Sequence, residues 1–215
     1  MAVKSETSQK ANTHKSSVSN KKRKFTTKQM VIIAMFSALS YVLMLLKLPF
    51  SYLGFLEFEF SDIPALVAGL AYGPMTAVII ELIKNLIKAL TSSFTGGVGE
   101  LANFVISASY MFTVCSLYKI LKGKKKVIAS CTIGTIIMTL IGALMNYFVM
   151  LPLYAVVFGG MDGIIEIANK TIPAINNVEK LVIIGISPFN LFKGAYIGLV
   201  GYWVYKLVRS VLRED

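Results

Sequence analysis

The sequence predicts an all-α integral membrane protein with six transmembrane helices, and two observations lead to that prediction. Of the 215 residues, 55% are hydrophobic and only 15% are charged, with a mean hydropathy of +0.68. The apolar residues are also concentrated in runs of the length typical of helices that cross a membrane. A soluble domain needs more polar surface than this, so that class is excluded. The runs are Met30–Leu46, Ile63–Ile80, Leu101–Leu121, Val127–Phe158 and Leu181–Val208.

The first 24 residues precede these runs and are basic and polar. Seven Lys or Arg side chains against one Glu give this segment a charge of +6, and it has almost no large apolar residues. Residues 1–24 are therefore predicted to be a disordered cytoplasmic tail, and residues 25–215 to form the transmembrane domain. The apolar run that follows lacks a small-residue cleavage site, so it is predicted to be an uncleaved first helix rather than a signal peptide.

The number of helices depends on the pair Gly73-Pro74, a strong local break within the second apolar run. Lys and Arg are enriched on the cytoplasmic side of membrane proteins. With a break at this pair, both termini and the four lysines of loop 122–126 lie in the cytoplasm. Without it, that loop would lie outside. Helices are therefore predicted at 27–47, 61–72, 74–92, 100–121, 127–157 and 180–209.

Two of these helices have unusual features. The second has 12 residues and covers only about 18 Å of a bilayer core of roughly 30 Å, so it is predicted to be short or tilted. The fifth contains Pro152 and is predicted to kink near its outer end. The outer loops are predicted at 48–60, 93–99 and 158–179, and no secondary structure is assigned to the last of them.

Polar side chains within the predicted spans are the candidate functional residues, because such groups usually face a cavity or a partner. Glu81, Lys84 and Asn85 share one face of the third helix. This cluster is either an ion pair that locks the helices together or part of a functional site, and both interpretations stay open.

Asn190 and Lys193 lie three residues apart on the sixth helix and so project to the same side. Lys193 has no acidic neighbour in its own helix. A ligand with carbonyl acceptors would stabilise it, because ammonium and amide groups donate hydrogen bonds to carbonyls. The alternative is a structural pair capped by backbone carbonyls. Asn146 is the matching polar residue on the fifth helix.

The sequence offers no site for catalysis or for a metal. His14, the only histidine, lies in the tail, and Cys115 and Cys131 sit in apolar runs as packing residues. The loop 95–103 lacks the spacing and lysine of a phosphate-binding loop. The net charge of +11 lies mainly beside the apolar runs, as cytoplasmic charge does, and needs no nucleic-acid partner. No enzymatic activity, metal or cofactor is predicted.

Small residues recur at a spacing that lets helices approach closely. Ala34 and Ala38 form such a pair on the first helix, and Gly194 and Gly198 on the sixth. Each pair either packs within the chain or meets a partner.

Four segments resemble the substrate-binding S component of energy-coupling factor (ECF) vitamin transporters, specifically the riboflavin type. They are Glu-Phe-Ser-Asp-Ile-Pro-Ala-Leu at 59–66, the Gly-Pro and Glu-Leu-Ile-Lys-Asn-Leu of 73–86, Thr-Gly-Gly-Val-Gly-Glu-Leu-Ala-Asn at 95–103, and the Asn-x-x-Lys of the sixth helix. The resemblance covers nearly all of residues 27–209.

The resemblance implies a six-helix bundle in the bacterial cell membrane that binds riboflavin in an outward-opening pocket. The pocket is lined by helices four to six and the first outer loop. A transmembrane T protein and two ATPase subunits drive transport, and the first helix meets the T protein. The implied ligand-binding residues are Asn146, Asn190 and Lys193, with Leu48, Phe50, Leu53 and Phe55 as apolar walls, and the implied partner contacts are Ala34 and Ala38.

Two alternatives remain at this stage. The chain is an S component for another vitamin, such as thiamine or folate, or it is a membrane assembly protein whose buried charges only lock helices together. Saturable riboflavin binding by the purified chain would separate these possibilities.

Overall fold

A computed structural model describes residues 25–46, 51–53, 56–93, 95–157 and 160–213, and these are helical almost throughout. The predicted tail, Leu48, Phe50 and Phe55 lie outside the described residues. The helices are α1 (Thr27–Leu45), α2 (Asp62–Tyr72), α3 (Pro74–Thr91), α4 (Val98–Ile120), α5 (Lys126–Met145), α6 (Leu151–Val157), α7 (Met161–Thr171), α8 (Val178–Lys180) and α9 (Ser187–Arg213). A hairpin of β1 (Ser51–Tyr52) and β2 (Leu56–Glu57) pairs antiparallel, with Tyr52 opposite Leu56.

Within the described residues, four helical segments are long and apolar enough to cross a membrane. The helix Asp62–Tyr72 is apolar but shorter. The 18-residue α3 is long enough by the same measure but carries Glu81, Lys84 and Lys88. The all-α prediction is confirmed apart from the short hairpin. The four segments are Thr27–Leu45, Val98–Ile120, Lys126–Val156 and Val178–Leu212.

The break between α2 and α3 falls where the sequence predicts it. Gly73 has φ 119° and ψ 172°, a conformation essentially restricted to glycine. Its N–H donates the last helical hydrogen bond of α2, to Gly69 O at 2.8 Å, and its positive φ then ends the helix. Pro74 then opens α3, where the missing N–H is not needed.

The irregularity near Pro152 takes the form of a π-helical turn. Residues Asn146–Met150 join α5 to α6 in π-helical geometry. A proline ring clashes with the carbonyl four residues earlier in an α-helix, and a π turn widens the helix at that point. The same pairing recurs before Pro188, where Leu181–Ile186 is π-helical and leads into α9. Sequence reasoning identified the first of these prolines and overlooked the second.

The segment 158–179, to which no secondary structure was assigned from the sequence, contains α7. Its buried residues Ile164 and Ala168 are one helical turn apart and face an apolar cluster. That cluster joins the turn of the hairpin to α6, α7 and the second π segment. A larger cluster occupies the middle of the molecule around α2, in which every residue from Asp62 to Leu70 is buried.

Candidate functional site

A cavity of about 280 Å³ lies at the end of the bundle where α3 ends and α4 begins. Its wall is formed by β2, the C-terminal end of α3, the N-terminal part of α4, the first π segment, α7 and the start of α9. The cavity is lined by all three polar residues that were predicted to bind a ligand, Asn146, Asn190 and Lys193. The structure therefore brings the predicted polar site residues together.

Lys193 is buried and held by side chains from two other helices. Its Nζ donates to Asn103 Oδ1 at 2.8 Å and lies 3.0 Å from Asp62 Oδ2. A weaker bond reaches Ser107 Oγ at 3.4 Å, and Glu59 Oε1 is 3.9 Å away. An aspartate from α2 therefore supplies the counter-charge that the helix of Lys193 lacks.

Asp62 is the junction of a buried charge network. Its Oδ1 pairs with Lys84 of α3, while its Oδ2 faces Lys193 of α9 and accepts a hydrogen bond from Ser107 Oγ at 2.9 Å. Lys84 also contacts Glu81 Oε2 at 2.9 Å and donates to Ser61 Oγ at 2.9 Å. Four helices are thus tied together by one carboxylate, which supports the locking interpretation of the Glu81 and Lys84 pair.

Asn103 connects this network to the cavity wall. Its Nδ2 donates to Glu59 Oε1 at 2.7 Å and to Asn85 Oδ1 at 3.3 Å, and its Oδ1 accepts from Lys193. Both ends of the amide are used, so Asn103 is fixed. Asn85 in turn donates to the backbone of its own helix at Glu81 O, 2.8 Å away.

The two other predicted asparagines have unused hydrogen-bonding groups. Asn190 is 3% exposed, and its Nδ2 has no hydrogen-bond partner among the described residues. Asn146 Nδ2 donates to Gly142 O at 2.8 Å, which leaves its carbonyl oxygen to accept from a ligand. A buried donor without a partner is destabilising, so Asn190 indicates a site completed by a bound molecule.

The glycine-rich loop before α4 caps the start of that helix. Thr95 Oγ1 accepts from Gly99 N at 2.8 Å, and Ser93 Oγ accepts from Gly97 N at 2.8 Å. Glu100 Oε2 in turn accepts from Ser93 Oγ at 2.8 Å. These bonds shape the rim of the cavity without forming a phosphate cradle.

Leu53 does not line the cavity, whose apolar wall comes from other side chains, among them Leu56, Ile164 and Phe189. Leu53 has φ 56° and is fully buried in the second cluster, where Gly185 leaves room for its side chain. Phe189 lines the cavity instead and stacks on Tyr52, with ring centroids 5.9 Å apart and an angle of 12° between the rings. Its position next to Asn190 in the sequence is the signal that could have identified it.

Ala34 and Ala38 lie on the exposed face of α1. They are surrounded on that face by large apolar side chains such as Val31, Met35 and Leu39, each about half exposed. Packing of this pair against another described helix is therefore not observed. The buried face of the same helix carries Ile33, Ser37, Ser40 and Met44.

Asp62 and Asn103 are two further site residues that sequence reasoning missed. Both fall in segments that predicted the family, yet Asp62 looks there like an acidic residue favoured in the first turn of a helix. Its role becomes visible only when α9 brings Lys193 to it.

Comparisons with known proteins give a consistent set of relatives. A family model described as ECF transporter, substrate-specific component, matches residues 28–205. The riboflavin transporter RibU of Staphylococcus aureus (strain TCH60) is 35% identical over 188 residues, covering 87% of this chain and 93% of that protein. The riboflavin transporter FmnP of Bacillus subtilis (strain 168) is 35% identical over 176 residues, covering 80% and 87%. A solved S component of a bacterial ECF transporter has a TM-score of 0.69 at 33% identity, covering 87% of this chain and 98% of that one.

Proposed function

The chain belongs to the family of ECF transporter substrate-specific components, and we propose that it is the riboflavin-binding member that captures this vitamin outside the cell. The family consists of transporter components rather than enzymes. The relatives named riboflavin transporters support this choice of vitamin over thiamine or folate.

The observation that supports riboflavin is the pattern of donors and acceptors in the cavity wall. One edge of the flavin ring carries two carbonyl acceptors on either side of an N–H donor. Asn190 Nδ2 and the Lys193 ammonium supply donors, and the free oxygen of Asn146 supplies an acceptor. The wall therefore complements that edge in type and number of hydrogen bonds.

Lys193 can serve the ligand without leaving Asp62. An ammonium has three donors, and two are held at 2.8 and 3.0 Å by Asn103 and Asp62. The third reaches Ser107 at 3.4 Å, and Ser107 is itself satisfied because it donates to Asp62. A ligand carbonyl could accept from this third donor in place of Ser107, and only a long hydrogen bond would be lost.

The ring plane of a flavin also needs a flat apolar surface. Phe189 provides one beside Asn190, and Tyr52 and Phe58 pack against Phe189 and hold it in place. Stacking of this kind favours a planar aromatic ligand over an aliphatic one.

The remaining features of the proposal concern orientation and partners. We infer six membrane-crossing segments, formed by α1, α2, α3, α4, the α5–α6 unit and the α8–α9 unit, with both termini in the cytoplasm and the cavity facing outward. Residues 1–24 are the proposed cytoplasmic tail. A T protein and two ATPases supply the energy for uptake, and the exposed pair Ala34 and Ala38 is the proposed contact with the T protein.

Binding of riboflavin by the purified chain in detergent tests the proposal. We expect saturable quenching of flavin fluorescence that thiamine and folate do not reverse. 3-Methylriboflavin, in which a methyl group replaces the N–H donor, should bind at least about tenfold more weakly because Asn146 is left unpaired. No saturable riboflavin binding would refute the function, and equal binding of the two flavins would refute the hydrogen-bonding pattern.

A further inference from the structure

Gly142 on α5 is the point at which the two cavity-lining asparagines meet. Its carbonyl oxygen accepts a hydrogen bond from Asn146 Nδ2 at 2.8 Å. A Cβ atom at Gly142 would lie 2.5 Å from Asn190 Nδ2 and 3.4 Å from Asn190 Cγ. The residue therefore orients one amide through its backbone and makes room for the other because it has no side chain.

The helix itself does not require glycine here. The φ angle of Gly142 is not positive, unlike that of Gly73 or Gly160, so alanine could adopt the same backbone. Glycine in a helix interior also disfavours the helix relative to alanine. The space that glycine leaves beside Asn190 is what distinguishes this position.

We propose that Gly142 is a positioning residue that fixes the Asn190 amide for the ligand, an inference that rests on the proposed riboflavin function. Asn190 Nδ2 is buried, lacks a partner among the described residues, and belongs to the cavity wall. A methyl group at Gly142 meets the end of a flexible side chain, so the amide rotates away while the backbone stays. The donor then no longer points at the ligand.

The test is the variant Gly142→Ala, measured for both stability and binding. We expect a thermal unfolding midpoint, without ligand, that is equal to or above that of the unsubstituted chain. Riboflavin affinity should fall by about three- to tenfold, the loss that corresponds to one hydrogen bond. A gain in stability together with a loss of binding is not expected of a packing defect.

The same substitution in a chain that carries Asn190→Ala shows whether the loss of riboflavin affinity depends on Asn190. In Asn190→Ala the colliding amide is absent, and the next neighbour of a Cβ at Gly142 is Ile106 Cδ1 at 3.6 Å, an ordinary contact. Adding Gly142→Ala to Asn190→Ala should therefore leave affinity unchanged.

Gly134→Ala is the matched control, with the same substitution on the same helix. Its Cβ would overlap Val114 Cγ2 and approach the Tyr110 ring, and Gly134 lines no part of the cavity. We expect it to lower stability equally with and without Asn190→Ala.

If Gly142→Ala binds riboflavin as tightly as the unsubstituted chain, or weakens binding by the same factor with and without Asn190→Ala, the inference is overturned. Failure of the unsubstituted chain to bind riboflavin would instead overturn the proposed function.

Discussion

Lys84 and Lys193 both contact Asp62, yet they differ in what else they reach. Lys84 is fully buried among Ser61, Asp62 and Glu81 and lies outside the cavity wall. Lys193 is also buried, but it lines the cavity. The pair can therefore separate a helix-locking role from a ligand-binding role.

Replacing each lysine by methionine should produce different results. Either change removes one of the two ammonium groups that contact Asp62 and should destabilise the protein, by less than the roughly 3–5 kcal/mol expected when a buried carboxylate loses its only partner. Lys193→Met should also weaken riboflavin binding by about tenfold or more, because a hydrogen bond from a charged donor is lost. Lys84→Met should leave the affinity of the folded fraction within about twofold. Thermal unfolding and fluorescence titration measure the two effects, and equal losses of affinity would contradict the assignment.

Residues of the site differ in how far the sequence reveals them. Asn146, Asn190 and Lys193 were identifiable because an amide or ammonium inside an apolar run needs a reason to be there. Asp62 was not, because its partners lie on α3, α4 and α9 and only the packed bundle brings them within 3.0 Å. The sequence indicates that Lys193 needs a counter-charge but not which residue provides it.

Among the elements, the junction of α2 and α3 depends on one residue. Gly73 has φ 119°, and a Cβ there would collide with Lys119 Nζ, which donates to the carbonyl of Tyr72 at 3.3 Å. Tyr72 also donates its hydroxyl to Leu212 O and so ties the junction to the end of α9.

Gly73→Ala should destabilise the bundle by about 1–3 kcal/mol, because alanine is strained at this backbone conformation and must displace Lys119. Gly123→Ala is a useful comparison, since Gly123 has φ 93° but no atom within 4 Å of its Cβ position. A larger drop in the unfolding midpoint for Gly73→Ala would assign the difference to the crowded junction. Equal drops would show that backbone strain alone is responsible.

Elements were predicted well where hydrophobic length or a break signal defined them, as at α1, α4 and Gly73. The π segments were not, because no simple residue pattern separates a π turn from the α-helix around it. α7 was overlooked because its 11 residues are too short for a span, although Ile164, Ile167 and Ala168 follow helical spacing.

At the scale of the whole molecule, orientation in the membrane follows from the proposed number of crossings. In a chain whose own cysteines, Cys115 and Cys131, are replaced, a cysteine at Thr95 should react with an impermeant reagent added to intact cells. A cysteine at Gly123 should react only after the membrane is opened. The reverse pattern would rule out three crossings between a cytoplasmic N-terminus and the loop that contains Thr95.

Coupling to a partner provides a second test at this scale. Replacing Ala34 and Ala38 by leucine should abolish riboflavin uptake while leaving binding intact, because bulky groups keep a closely packed helix at a distance. Both positions are exposed on α1, away from the cavity wall. Uptake and binding are measured on the same membrane preparation.

Thr132→Leu is the control for this substitution, because it places the same bulk on an exposed face of α5. It should leave both uptake and binding unchanged. Normal uptake in the Ala34 and Ala38 variant would leave that pair without a role in coupling.

The burial of α2 has a consequence for how the chain enters the membrane during synthesis. With 11 residues, α2 spans only about 16 Å, and the aspartate at its first position further disfavours insertion. As an isolated segment it would therefore be a poor substrate for the insertion machinery. α3 follows after a single residue and carries Lys84, the counter-ion of Asp62. If the two helices insert as a pair, Lys84 neutralises that aspartate early, and we expect biogenesis to depend on this lysine before any vitamin is present.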